Sequence, residues 1–295
     1  MSFKINYNSK LKFFFRKLIP SIFSSGVTQI NILVGTIIAS FQASAVSYLY
    51  YADRIYQINL AIAGIAIGTV LLPSLSKYVE KKNEKKINFI QNKSLELCFF
   101  LSIPATFALL ISSEEITSAL FGYGSFNQTS VKNSAYALYW FSFGLPAFAL
   151  IKVFSSYIFA RQNTKTPFIF SIYSVVINIS LSLYYFDDLG FIIIPIATTI
   201  SSWVNALMLF IFITKKKYFE FENYFIFSIF KIILNSTISA FIFYQMINFL
   251  NDLLVYESQY KLVTIILLVI ITFIFYILFS IITKAFKISD ITLRY

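Results

Sequence analysis

Apolar runs of twenty or more residues recur along almost the whole chain, and this feature restricts its possible folds most strongly. A transmembrane helix needs about 20 consecutive, mostly apolar residues to cross a bilayer. Segments of this kind lie at residues 18–42, 47–73, 94–113, 134–160, 167–186, 189–213, 225–250 and 261–283. Since 58% of the 295 residues are hydrophobic and 13% are charged, a water-soluble fold would expose too much apolar surface. The sequence predicts an all-α integral membrane protein with about eight transmembrane helices.

The N-terminal region shares one property with secretory signal peptides. Residues 1–17 are basic and directly precede the first apolar segment. That segment is longer than a signal-peptide core and lacks a small-residue cleavage pattern, so we interpret it as a retained helix. Residues 1–17 then form a basic cytoplasmic linker that fixes the orientation of the chain. An amphipathic helix at the membrane surface is the alternative.

Basic residues concentrate on one side of the membrane when eight helices are threaded through it. These residues are Lys4, Lys10, Lys12, Arg16, Lys17, Lys77, Lys81, Lys82, Lys85, Lys86, Lys93, Arg161, Lys165, Lys215, Lys216, Lys217, Lys284, Lys287 and Arg294. The opposite loops contain Lys132 and Lys261 as their basic residues, together with several acidic ones. This is the positive-inside pattern, and it predicts that both termini are cytoplasmic. It also explains the net charge of +11 without nucleic acid.

The residue types that common catalytic chemistry requires are scarce. The chain has no histidine, which is the commonest general base and metal ligand. Its one cysteine, Cys98, excludes an intramolecular disulfide framework. Since carboxylates at membrane depth are also few, the sequence predicts that the chain is not an enzyme and that it has no cofactor.

Arg54, Lys152 and Lys231 are the basic residues that remain at membrane depth. A charge at the bilayer centre costs about 2.5–3.5 kcal/mol on insertion scales, so it usually faces a cavity or a partner. Lys231 lies near the cytoplasmic start of its segment, where its ammonium group can reach the interface. Lys152 lies about 14 Å along a helix from Arg161, which is too deep for this. It is either a cavity cation or a charge between packed helices.

The stretch YLYYADRIYQ contains the strongest candidate for a binding site. Asp53 and Arg54 are adjacent, but neighbouring helix residues point about 100° apart, so an ion pair between them is not assured. One stripe of this helix instead comprises Asp53, Gln57, Gly64 and Gly68. The outer end of this stripe is polar, and its two glycines further in permit another helix to approach closely. Arg54 is either a cavity cation or an anchor at the outer headgroups.

A second polar stripe lies on the first apolar segment and comprises Ser24, Thr28, Asn31 and Gly35. Polar stripes on two consecutive helices favour a shared aqueous cavity. The alternative is hydrogen bonding between packed helices, worth about 0.6 kcal/mol per bond on average. The same two interpretations apply further along the chain to Asn178, Ser182, Thr198 and Thr199.

Several sequence blocks together resemble a known family. They are SGVTQINILVGTIIASF, SYLYYADRIYQ, GIAIGTVLLPSLSKY, LFGYGSF and ARQNTKTP. In this order and at about this spacing they are similar to the MurJ/MviN lipid II flippases, and the resemblance covers most of residues 18–170. The remaining third matches mainly by its helix pattern. The family is part of the MOP/MATE-like superfamily, and this chain corresponds to its helices seven to fourteen.

The resemblance implies three regions and a function. Residues 1–17 are the linker, residues 18–213 a six-helix lobe, and residues 214–295 two additional helices with a cytoplasmic tail. The expected function is to move lipid II from the cytoplasmic to the outer leaflet of the bacterial inner membrane by alternating access, as one component of a flippase. The family's other cavity arginines lie on a first lobe that this sequence does not contain. The chain is then a fragment, a truncation or a split-gene product, and in the last case a separate polypeptide that supplies this lobe is the expected partner.

The resemblance also implies a substrate site. Its candidate residues are Arg54, Asp53, Gln57, Lys152, Asn31 and Thr28. Arg54 matches the cavity arginine and would contact the diphosphate of the lipid, while Asp53 would orient it or pair with another basic group. Gln57 stands where relatives often have an acid, so an acid function is lost at this position.

Some members of the family bind sodium through carboxylates, and this chain differs from them. The matching positions here are Gly35, Asn178, Ser182 and Thr198. Because hard cations prefer anionic oxygen ligands, a sodium site would be weak and sodium coupling is doubtful. Membrane potential is the alternative driving force.

Two alternative functions accompany the flippase hypothesis. The chain could belong to a flippase for another polyprenyl-linked sugar or to a drug exporter of the same superfamily. It could also be a non-transporting relic half that serves as a membrane scaffold.

Overall fold

A computed structural model describes residues 29–285, without the side chains of residues 62–70 and Asn223. All regular elements in this part of the chain are helical. They are α1 (described part Gln29–Ala39), α2 (Ala45–Glu80), α3 (Glu84–Phe121), α4 (Gln128–Ser142), α5 (Leu145–Phe159), α6 (Lys165–Tyr184), α7 (Phe186–Leu189), α8 (Ile193–Lys215), α9 (Asn223–Phe249), α10 (Asn251–Leu254) and α11 (Lys261–Ile282). A 3-10 turn, Gly190–Ile192, separates α7 from α8. The predicted all-α fold is confirmed, whereas the linker at residues 1–17 lies outside the described residues.

Several of these helices can cross a membrane by length and composition. Within residues 29–285 the five that qualify are Glu84–Phe121, Lys165–Tyr184, Phe186–Lys215, Tyr224–Phe249 and Lys261–Ile282. The pair α4 and α5 is a sixth if it counts as one bent span. The chain is thus a multi-pass membrane protein, and the number eight stays a prediction. The division at residues 213 and 214 also stays a prediction.

The predicted single helix at 134–160 is wrong, because the chain bends by 43° between α4 and α5. Gly144 and Pro146 lie at the break. Glycine is a weak helix former, and proline lacks an N–H donor and clashes with the carbonyl group four residues earlier. The α8 side chains of Thr199 and Trp203 donate hydrogen bonds of 2.8 and 2.9 Å to backbone carbonyl oxygens beside the bend. These bonds replace helical partners that the break removes.

The predicted connections around α3 are too long. Only residues 81–83 separate α2 from α3, so residues 84–93, which lie between the predicted apolar segments 47–73 and 94–113, are helical. At the other end, Glu114 and Glu115 lie within α3 rather than in an outer loop. The 38 residues of α3 span about 57 Å, which exceeds the roughly 30 Å hydrocarbon core. Charged residues therefore extend α3 beyond the hydrocarbon core at both ends, and a kink at Ser112 precedes Glu114 and Glu115.

Helix α3 is the central element of the fold. Apolar side chains of α2, α3, α5 and α8 form one core, which includes Leu75, Ile90, Val153 and Leu209. On another side of α3, Ala119 packs with Phe243, Ile247 and Leu268 of α9 and α11. The two C-terminal helices are thereby attached to the rest of the bundle through α3.

The connection from α8 to α9, residues 216–222, is bound along α3 and α5, and we call it the strap. Asn92 donates to the carbonyl oxygen of Glu220 at 2.9 Å and accepts from the amide of Glu222 at 3.1 Å. Asn88 accepts from the amide of Glu220 at 3.1 Å. Arg161 donates to the carbonyl oxygen of Tyr218 at 3.0 Å. At this end of the bundle, side-chain amide and guanidinium groups thus satisfy the hydrogen-bonding backbone groups of the strap.

Candidate functional site

Arg54 is an exposed cation on the first third of α2. It lies nine residues after Ala45, or about 14 Å along the helix. Its Nη2 atom donates a 3.0 Å hydrogen bond to the hydroxyl group of Tyr50. The guanidinium carbon lies 4.7 Å from the centroid of the same ring, within the range of a cation–π interaction. The tyrosine four residues earlier therefore holds the guanidinium group in place.

Asp53 does not form an ion pair with the adjacent arginine. Its Oδ2 atom accepts a hydrogen bond from Nε2 of Gln57, four residues later. Positions four apart share a helix face, as the stripe on this helix predicts. The aspartate and the arginine therefore have separate partners, and their side chains diverge. Gly64 and Gly68 follow further along α2.

Aromatic contacts attach the first turns of α2 to the rest of the bundle. Tyr51 packs against Phe121 and Phe126, each with ring centroids 4.7 Å apart. The buried Tyr56 stacks on Phe141 at 5.4 Å. Because these residues face inward, Arg54 and Gln57 remain on the exposed side. From the sequence, LFGYGSF was used only as a block of the family resemblance, and its support of the site was missed. The dense aromatic residues of this stretch were the available signal.

Lys261 was assigned to an outer loop from the sequence, but its side chain is 1% exposed. Its Nζ donates to the carbonyl oxygens of Gly122 and Tyr256 at 2.7 and 2.6 Å. The rings of Tyr123 and Tyr256 lie 4.3 and 4.5 Å from the ammonium group. Gly122 is required here, because an added Cβ would lie 2.6 Å from a backbone oxygen. We call this group the lysine cage.

Among the described residues, no hydrogen bond or ion pair joins Arg54 to Lys152 or Asn31. Lys152 is exposed on α5, and its Nζ has no hydrogen bond or ion pair within residues 29–285. Asn31 is half-buried on α1, with its Oδ1 unpartnered among the described groups. Thr28 lies outside the described residues. The site hypothesis therefore rests on the segment of α2 around Arg54, and the remaining members stay predictions.

The hydroxyl and amide groups of α6 and α8 bond to each other. Asn178 donates to Oγ1 of Thr198 at 2.9 Å, and its Oδ1 accepts from Ser182 at 3.3 Å. A further contact joins Asn178 to Ser201 at 3.4 Å. Thr199 faces away from this group and bonds to α4. The expected alternative of a helix–helix contact is therefore the one observed.

These residues do not fit a sodium ion. The amide oxygen of Asn178 is a neutral ligand that also accepts a hydrogen bond from Ser182. Gly35 contributes no side-chain oxygen, and a Cβ there would lie 3.6 Å from Ile194 on α8. None of the positions is anionic, although a hard cation prefers carboxylate ligands. No cluster of three or more acidic, cysteine or histidine residues occurs in the described part of the chain.

Two apolar cavities flank α9. The larger one has a volume of about 450 Å³ and lies between α9 and helices α3, α5 and α8. Its walls include Phe99, Phe154, Phe210 and Phe225. The second, of about 270 Å³, lies between α3, α9 and α11 and borders Asn59 of α2. The walls of the first cavity suit hydrocarbon chains and not a charged headgroup, whereas polar groups of Ser236, Ser239 and Thr272 also line the second.

A family model described as "Lipid II flippase MurJ" matches residues 2–265. A probable lipid II flippase MurJ of Rhizobium meliloti (strain 1021) is 45% identical over 192 residues, or 65% of this chain and 36% of the relative. One from Rickettsia prowazekii (strain Madrid E) is 37% identical over 203 residues, or 69% of this chain and 40% of the relative. This chain therefore spans less than half the length of these curated relatives.

Solved structures agree with these relatives. The structure "Lipid II flippase MurJ, inward closed conformation" is similar with a TM-score of 0.74 and 27% identity, over 95% of this chain and 57% of that one. A MATE transporter in the bent conformation is similar with a TM-score of 0.58 and 17% identity, over 84% and 57% of the two chains. The second likeness concerns the fold alone. The predicted resemblance is confirmed, and this chain belongs to the lipid II flippase MurJ family.

Proposed function

We propose that this chain is the C-terminal part of a lipid II flippase of the bacterial inner membrane, with both termini in the cytoplasm. The carrying observation is the exposed guanidinium group of Arg54, which lies near the exposed residues Tyr50 and Gln57 on α2. Arginine has five N–H donors, of which Tyr50 occupies one. The others are available to a phosphate group.

The chemistry of the substrate matches such a site. A diphosphate joined to a sugar and a peptide cannot cross hydrocarbon unaided, because unpaired charge is expensive there. A cation in a cavity between two rocking lobes receives the headgroup, while the lipid tail remains in the membrane. Arginine suits this function through its permanent charge and its bidentate contacts with phosphate oxygens. Asp53 lies next to Arg54 on α2 and is bound by Gln57, while Lys152, Asn31 and Thr28 are further proposed members of the site.

One arginine is a weak site for a diphosphate, so the cavity requires further cations. We propose that a separate polypeptide with a six-helix first lobe supplies them and covers the exposed face of α2. The exposed apolar residues of α1, with side chains of Ile30, Leu33 and Ile37 at least half exposed, support a helical partner or lipid on this side. A first lobe in the same polypeptide is the alternative.

Complementation of a flippase-depleted strain tests the proposal. The chain is expressed with a six-helix polypeptide from the same genome, and growth is measured. We expect Arg54→Ala to abolish growth with normal membrane insertion, since losing a charged hydrogen bond weakens binding about 10- to 150-fold. Arg54→Lys should also largely fail, because lysine lacks the bidentate geometry.

The matched control is Lys231→Ala, which removes a half-buried lysine of α9 and should leave growth nearly normal. Normal growth with Arg54→Ala would refute the proposed function. Growth restored without lipid II transport would favour another polyprenyl-linked substrate. A chain that binds the first lobe but never supports growth would favour the scaffold alternative.

We further propose that transport needs no sodium site in this chain and that the membrane potential drives it. The mutual hydrogen bonds of Asn178, Ser182 and Thr198 support this. Replacing external sodium by choline should leave lipid II export unchanged, while dissipating the potential should stop it. The absence of histidine supports transport without catalysis by this chain.

A further inference from the structure

Two side-chain pairs lie side by side on α2 at the proposed site. Tyr50 accepts from Nη2 of Arg54 at 3.0 Å, and Gln57 donates to Oδ2 of Asp53. In each pair the residues are four apart, so both pairs follow the helix repeat. The charged residues Asp53 and Arg54 are adjacent in sequence, but each is held by a neutral partner on its own face.

The neutrality of Tyr50 and Gln57 matters because Asp53 and Arg54 have opposite charges and can attract each other. At a low effective dielectric, a carboxylate within about 4 Å of a guanidinium group attracts it strongly and competes with a bound phosphate. The amide of Gln57 satisfies the carboxylate of Asp53 and keeps it on its own face. The hydroxyl and ring of Tyr50 orient Arg54 without cancelling its charge. Arg54 therefore keeps both its charge and most of its donors for an anion.

We propose that Tyr50 and Gln57 are positioning residues that keep Arg54 available to the diphosphate group. Tyr50 fixes the guanidinium group, and Gln57 prevents Asp53 from neutralising it. This inference rests on the proposed function, in which Arg54 contacts the substrate. It assigns Gln57 an indirect effect through Asp53 and not a contact with the lipid.

Binding of a polyprenyl diphosphate to the full chain, assembled with the six-helix first-lobe polypeptide in phosphatidylcholine nanodiscs, tests the inference. Gln57→Leu should weaken binding by about five- to tenfold, the size of one lost polar interaction. Asp53→Asn combined with Gln57→Leu should restore affinity to within about twofold of the original chain, because the freed carboxylate is then neutral. Tyr50→Phe, which keeps the ring, should weaken binding about threefold, and Tyr50→Leu more than that.

Matched controls apply the same chemical changes elsewhere. Tyr173→Phe alters an exposed tyrosine of α6, and Gln259→Leu alters an exposed glutamine outside the helices. Both should bind like the original chain. A double variant as weak as Gln57→Leu alone would overturn the inference, because a merely structural glutamine gives that result. Unchanged binding by both Tyr50→Phe and Gln57→Leu would overturn it as well.

The Arg54→Ala variant separates this inference from the proposed function. If Arg54→Ala weakens binding while the Tyr50 and Gln57 variants do not, only the positioning inference fails. If Arg54→Ala binds as well as the original chain, or if the original chain does not bind, the proposed function fails first. Nanodiscs with a polyprenyl monophosphate show whether the affinity depends on the second phosphate group.

Discussion

At the scale of single residues, the lysine cage shows how a buried charge is stabilised in this fold. Lys261 has two carbonyl acceptors and two tyrosine rings around its ammonium group. Burying a charge is unfavourable unless hydrogen bonds compensate it. Here the acceptors belong to the loop after α3 and to the segment before α11, so one side chain connects both.

We expect Lys261→Met to lower the free energy of unfolding by about 2–4 kcal/mol, because two buried carbonyl oxygens lose their donor. The thermal midpoint in detergent, followed by tryptophan fluorescence, should fall by several degrees. Lys132→Met is the control, since it removes an exposed lysine of α4. Equal midpoints for Lys261→Met and the original chain would show that the cage adds no stability.

At the scale of helices, α3 organises the structure by binding segments from both ends of the chain. Its asparagines hold the strap, and its Phe100 carbonyl oxygen accepts from the Tyr276 hydroxyl group of α11 at 3.0 Å. Near its C-terminal end the lysine cage adds a third attachment. The C-terminal helices are thus bound at three depths, which favours their movement as one body with the lobe.

Asn92→Leu should release the strap, because Asn92 is fully buried and contacts two of its backbone groups. The groups left behind lose their partners at a cost of about 1–3 kcal/mol each. Hydrogen–deuterium exchange of residues 216–225 should become faster, while exchange in α6 stays constant. Asn251→Leu, at an exposed position, controls for the substitution. Unchanged exchange in the strap would contradict this role of Asn92.

At the scale of the whole molecule, the folded chain has two chemically different ends. At one end Arg161 bonds to the strap, and Lys86 lies 5.1 Å from the ring of Tyr78. At the other end the amide of Phe191 donates to Gln42 at 2.7 Å, and Tyr256 donates to the carbonyl oxygen of Phe126. The basic connections gather at the first end, in agreement with the positive-inside pattern.

Labelling with a membrane-impermeant maleimide tests the proposed orientation. The buried Cys98 is first replaced by alanine. In this background, Ser125→Cys should react in intact spheroplasts, because the proposed topology places the loop after α3 outside. Lys85→Cys should react only after permeabilisation, because it lies in the first turn of α3, on the proposed cytoplasmic side. The opposite labelling would invert the topology.

Much of the architecture was predictable from local properties. The bounds of α6, α9 and α11 agree with the apolar segments within two residues, because hydropathy along one helix determines where it can lie in a bilayer. The glycine and proline in FGLP were a visible signal of the bend, although the long apolar segment around them predicted one continuous helix. The helix repeat predicted that Asp53 and Arg54 begin on different faces, and their hydrogen bonds to Gln57 and Tyr50 hold the side chains there.

The partners of the site residues required the folded structure. Tyr51 contacts rings seventy or more residues away, and Lys261 binds a carbonyl group 139 residues away. No local sequence pattern predicts contacts between residues so far apart in the sequence, because these contacts depend on how the helices pack around α3. Hydropathy, charge and family blocks were therefore enough to establish a helical membrane chain with a candidate cation. The local partner of that cation, Tyr50, lies four residues earlier on the same helix. Tertiary packing decided instead which groups support this helix and which groups bury Lys261, since contacts between helices depend on the three-dimensional arrangement.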